Sequence, residues 1–82
     1  MFPLRRATID VTVEAHGLAA QYVAPGSYKV REGSTVGKLL DKASTARRRP
    51  PLVLMIGGER VETSRALAAG DVVKVLGFAA GG

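Results

Sequence analysis

Few residues in this 82-residue chain are equipped for chemistry, and they lie far apart. There is no cysteine, which removes both disulfides and a thiolate nucleophile. The single histidine, His16, has no second histidine or cysteine with which to hold zinc, and it reads as an ordinary loop residue. No Ser, His and Asp are spaced as a nucleophilic triad suggests, and no glycine-rich loop of the P-loop type occurs. The sequence therefore offers no candidate catalytic residue and no metal site. Arg47-Arg48-Arg49 concentrates positive charge just before Pro50. Such a run can engage phosphate, RNA or an acidic partner, and it is as readily a solvated loop. What remains is the closing segment Phe78-Ala79-Ala80-Gly81-Gly82. Two successive glycines at a given place arise by chance at roughly half a per cent, with glycine usage of about 7%. On its own such an ending also fits a frayed terminus.

These residues must be positioned by a small scaffold. The length corresponds to one domain, and the hydrophobic fraction of 46% is that of a packed globular fold. No apolar run approaches the ~20 residues of a membrane span. Met1-Phe2-Pro3-Leu4-Arg5-Arg6 lacks the apolar stretch of a secretory signal. A cysteine-free domain of this size is expected in the cytoplasm. A net charge of +5 permits an acidic partner or nucleic acid, but an aromatic fraction of 5% offers few bases a stacking platform, which argues against nucleic acid.

Periodicity gives the elements. From Ala7 to Ala15, Ile9, Val11 and Val13 alternate with Thr8, Asp10, Thr12 and Glu14, the pattern of a strand with one buried face. His16 to Gly26 has no clean period and contains Gly17, Pro25 and Gly26, so a loop or wide connection is expected there. Ser27 to Glu32 predicts a second strand with Tyr28 and Val30 on one face. Ser34 or Thr35 can cap a helix whose apolar stripe is Val36, Leu39, Leu40 and Ala43. Gly37 costs that helix about 1 kcal/mol, which packing must offset. Pro50-Pro51 bars the helix from continuing. Leu52 to Ile56, apolar throughout, predicts a central, fully buried strand. Gly57-Gly58 supplies a tight turn into a short strand at Arg60-Val61-Glu62. Thr63 to Ala69 is a connection anchored by Leu67. After the Gly70-Asp71 turn, Val72 to Leu76 forms the last strand with Val73 and Val75 inward. Val72, Lys74 and Leu76 then share the opposite face, where exposed apolar groups would make a docking patch. Phe78 is suited either to a partner's pocket or to covering the end of this chain's own core. The order of elements predicts an α+β domain with one helix on one face of a sheet.

Three segments carry a resemblance to a known family. They are Val30-Arg31-Glu32-Gly33-Ser34-Thr35-Val36-Gly37-Lys38-Leu39-Leu40, then Val53-Leu54-Met55-Ile56-Gly57-Gly58-Glu59-Arg60-Val61, and Leu67-Ala68-Ala69-Gly70-Asp71-Val72-Val73-Lys74-Val75 with Gly81-Gly82 beyond. In this arrangement the chain resembles the β-grasp sulfur carriers, a ubiquitin-like group that includes the small subunit of molybdopterin synthase and the thiamine-pathway carrier. The resemblance implies a mixed sheet of about five strands with one main helix, residues 1–77, followed by a flexible tail, residues 78–82. It departs from the molybdopterin branch in a tail without proline, and from the thiamine branch in a longer His16–Gly26 loop.

The resemblance also implies a chemistry. An E1-like partner uses ATP to adenylate the carboxylate of Gly82, and sulfur then displaces AMP to leave a thiocarboxylate. The chain would be a carrier acted upon, not an enzyme, with no bound cofactor. The sulfur would pass to an accepting synthase in cofactor biosynthesis or to a tRNA thiolation enzyme. Gly81, Ala80, Ala79 and Phe78 would be the partner-binding tail. Glycine suits such a tail, because a residue without Cβ lets a narrow channel close around the backbone. Two rivals stand beside it. An acyl-adenylate can be captured by a lysine amine, making the chain a ubiquitin-like protein modifier joined through Gly82 to target lysines. Alternatively, the chain is a basic RNA- or partner-binding module whose glycines are incidental.

Overall fold

The computed structural model describes residues 7–46, 48 and 50–77. The elements run β1 (Thr8–Gly17), a 3₁₀ turn (Leu18–Gln21), β2 (Gly26–Arg31), α1 (Val36–Ala43), β3 (Val53–Ile56), β4 (Glu59–Val61) and β5 (Val72–Gly77). The five strands form one mixed sheet in the order β2-β1-β5-β3-β4. β1 and β5 run parallel, and the other three pairings are antiparallel. With one helix covering one face, this is an α+β fold of β-grasp type.

The alternation expected in the first strand sets the inner face. Val11 and Val13 are buried, and Val73 and Val75 of β5 are fully buried beside them. The whole apolar stripe of α1, Val36, Leu39, Leu40 and Ala43, packs into the same core with Leu54 and Ile56. Leu67 is buried too and anchors the 63–69 connection as its sequence implies. Thr35 is the helix N-cap, its side-chain oxygen accepting from the Lys38 amide at 3.3 Å. Gly57 and Gly58 both have positive φ, at 60° and 82°, as a two-residue hairpin turn between β3 and β4 demands.

Three expectations need correction. The chain from His16 onward is not all loop: β1 extends to Gly17, because β5 continues to pair with it through His16↔Leu76 and Gly17↔Gly77. His16 is thus an exposed strand residue, its Nε2 3.3 Å from Glu14 Oε1. Second, β3 is neither central nor fully buried. β5 holds the centre, while Val53 and Met55 of β3 are only half-buried because no helix covers their face. Third, the short strand β4 runs over Glu59–Val61 rather than Arg60-Val61-Glu62. The helix α1 ends at Ala43, the last member of its apolar stripe and before Pro50-Pro51, as expected. Ser44, in extended conformation, turns its hydroxyl onto the Leu40 carbonyl at 2.6 Å and forms a bridge with Val23.

Gly37 has a structural reason. The 63–67 connection lies against the start of the helix: the Val36 amide donates to the Arg65 carbonyl and the Gly37 amide to the Thr63 carbonyl, both at 2.9 Å. A Cβ at position 37 would stand 3.2 Å from both the Cβ and the carbonyl oxygen of Thr63. The glycine buys this close approach at the expense of helix propensity.

Candidate functional site

The face of the sheet opposite α1 is where the β5 residues singled out from the sequence stand together. Val72, at 36% exposure, is the exposed large hydrophobic side chain among the described residues. Lys74 is exposed and Leu76 is half-buried, while Val73 and Val75 point the other way into the core. Strand register extends this row sideways. Lys74 lies between Glu14 of β1 and Met55 of β3, and Leu76 lies between His16 and Val53. Arg60 of β4 is opposite Met55. The face therefore carries a shallow apolar strip, Val72, Leu76, Val53 and Met55, with Lys74 and Arg60 among and beside it. Val53 and Met55 were missed from the sequence because β3 is apolar on both faces, so its alternation is hidden. The antiparallel register on β5 is what reveals them.

The strip is aimed at the end of β5. Gly77, the last residue of that strand, is buried, and residues 78–82 follow it directly. Phe78, Ala79, Ala80, Gly81 and Gly82 lie outside the described residues.

The turn that feeds β5 is held by Asp71. Its Oδ2 accepts from the Ala68 amide at 2.8 Å and from Arg65 Nη1 at 3.2 Å, and Gly70 sits at a φ of 85°. The Thr12 amide donates to the Asp71 carbonyl at 2.9 Å, tying the turn to β1. These contacts set where β5 starts and hence which of its residues face outward.

A second surface feature lies away from this strip. An open hollow of about 460 Å³ is lined by Leu40, Pro50, Pro51, Leu52, Leu54 and Thr63. Its wall is mostly apolar, with Thr63 the polar side chain in it. Among the described residues no group of three or more His, Cys, Asp or Glu side chains is placed to hold a metal ion. None of their helices is long and apolar enough to cross a membrane. Of the arginine run, Arg48 is exposed, and Arg47 and Arg49 lie outside the described residues.

No family model matches the chain, and no curated protein does. Among solved structures, the chain is similar to the solution structure of the HVO 2177 protein of Haloferax volcanii, with a TM-score of 0.69 and 19% identity. The similarity spans 100% of this chain and 94% of that one. At that identity it supports the fold.

Proposed function

We propose that the chain is a sulfur carrier that works with Gly82 as its terminal residue, whose carboxylate an E1-like enzyme adenylates with ATP and converts to a thiocarboxylate. The observation that carries this reading is a β-grasp sheet whose central strand β5 runs to Gly77, with Gly81-Gly82 beginning four residues further along the chain. A carboxylate resists substitution because its leaving group would be oxide. Attack of the carboxylate on the α-phosphorus of ATP expels pyrophosphate and makes AMP the leaving group, and a sulfide-level sulfur nucleophile can then attack the carbonyl carbon and expel AMP. No side chain of the carrier takes part, in keeping with the scarcity of reactive residues in the sequence.

The division of labour follows from size. The tail supplies a narrow, side-chain-poor backbone, and the body supplies affinity. Threading the tail into a pocket costs conformational entropy, which the docked surface must offset. Val72, Lys74 and Leu76, joined by Val53 and Met55, are the proposed docking strip. The acceptor would be a synthase of cofactor biosynthesis or a tRNA-thiolating enzyme. The same activated Gly82 supports a second reading, conjugation to target lysines, since an amine can capture the acyl-adenylate as sulfur does.

ATP–pyrophosphate exchange catalysed by the host's E1-like enzyme tests the shared step. Exchange is expected to depend on the full chain and to vanish when Gly82 is removed. Exchange that is indifferent to Gly82 would sink the proposal. Gly-Gly remnants on lysines of other proteins, without any thiocarboxylate, would favour the modifier.

A further inference from the structure

The root of the tail is enclosed by backbone. Gly77 pairs with Gly17 at the end of the parallel β1–β5 ladder. Gly17 has a φ of 60°, and a Cβ there would run into the Gly77 carbonyl oxygen. On the other side the 3₁₀ turn crosses directly over Gly77. A Cβ on Gly77 would stand 2.5 Å from the Ala19 amide nitrogen, 3.1 Å from the Leu18 carbonyl carbon and 3.2 Å from the Ala19 Cα. All three are backbone or near-backbone atoms that no rotamer change can move aside.

The crossing segment is itself anchored. Ala19 and Val23 are fully buried. The amides of Tyr22 and Val23 donate to the Ala19 carbonyl at 3.0 Å and 2.9 Å, closing the turn. The Ala24 amide donates to the Ala43 carbonyl and the Thr45 amide to the Tyr22 carbonyl, both at 2.8 Å, tying the segment to the end of α1. Helix end, 3₁₀ turn and strand end thus form one connected body around Gly77.

We propose that the 18–23 segment locks the root of the tail at Gly77, so that Gly17, Ala19 and Gly77 act as positioning residues that fix how far Gly82 extends into a partner's active site. This inference rests on the sulfur-carrier reading for its use, and on the close packing at Gly77 for its existence. On the carrier reading, with Gly82 terminal, a locked root leaves five residues, 78–82, whose reach is at most about 16 Å at ~3.3 Å each. No further length can be drawn from β5. The docking strip must therefore place the partner's adenylating centre within that radius of Gly77. A loose root would relax the constraint by releasing Leu76 and Gly77 from the sheet.

Two measurements on the full chain decide the matter. The first is the backbone order parameter of Gly77 by ¹⁵N relaxation. A locked root gives Gly77 the value of Val75, about 0.85, and a value under about 0.6 overturns the lock whatever the protein's function. The second is deletion of Ala80, three positions beyond Gly77 in the chain. The melting midpoint is expected to stay that of the parent chain, while kcat/KM for adenylation falls by at least about tenfold, because the carboxylate stops ~3.3 Å short. Adenylation within about threefold of the parent would show that β5 yields length and would refute the lock. If the parent chain is itself not adenylated, the sulfur-carrier reading fails, and the order parameter still decides the lock separately.

Discussion

At the scale of single residues, small changes at glycines and turn groups should have effects that depend on their surroundings. Gly37→Ala in a free helix would gain about 1 kcal/mol of propensity. Here the added Cβ must push Thr63, whose carbonyl accepts the residue's own amide proton. The gain is expected to disappear, leaving a net loss of up to about 1 kcal/mol in urea denaturation. A clear stabilisation would mean that the 63–67 connection yields freely. Asp71→Ala removes the acceptor of the Ala68 amide and of Arg65 and should cost about 1–2 kcal/mol, read as a lower urea midpoint with unchanged m-value. A midpoint equal to the parent's would show that the turn forms without it. The Gly70-Asp71 turn was legible in the sequence because positive φ and side-chain capping are local demands. The reason for Gly37 was not legible, since it lies in a contact with a residue 26 positions away in the chain.

At the scale of elements, α1 was read almost completely. Its stripe repeats at i, i+3, i+4 and i+7, and all four members are buried. Leu39→Ala is expected to cost about 2–5 kcal/mol, a large share of the ~5–15 kcal/mol typical of a domain, whereas Lys38→Ala on the exposed face should stay within about 0.5 kcal/mol. Comparable losses in thermal denaturation would contradict the packing assignment. The strands were legible in proportion to how unlike their two faces are. β1 and β5 alternate and were read with the right faces. β3 is apolar on both sides, so its half-exposed face was mistaken for a second buried one. The 3₁₀ turn escaped notice because four residues make no periodic signal, and the extension of β1 to Gly17 comes from pairing with a strand some 60 residues later.

At the scale of the whole molecule, the charge and the outer strip bear on association. A body with a net charge of +5 is expected to approach an acidic partner face faster at low salt than at high salt. If the strip docks the partner as proposed, Lys74→Glu should raise KM for adenylation about tenfold or more with kcat nearly unchanged, because the strip would hold the partner's surface and not the reacting carbonyl. A fall in kcat at constant KM would place Lys74 in the chemistry and not in docking. The sequence showed this strip in part, through the β5 alternation, and left out Val53 and Met55, which only the sheet register brings to it.

The reading as a carrier depends most on one atom, an oxygen of the Gly82 carboxylate. Intact-mass and C-terminal fragment analysis of the protein purified from its own host examines it directly. The expected result is a fraction of chains ending at Gly82 in which one oxygen of that carboxylate is replaced by sulfur, with the fraction lost when the E1-like enzyme is removed. Chains that end in an ordinary carboxylate whether or not that enzyme is present, or that continue beyond Gly82, would contradict it.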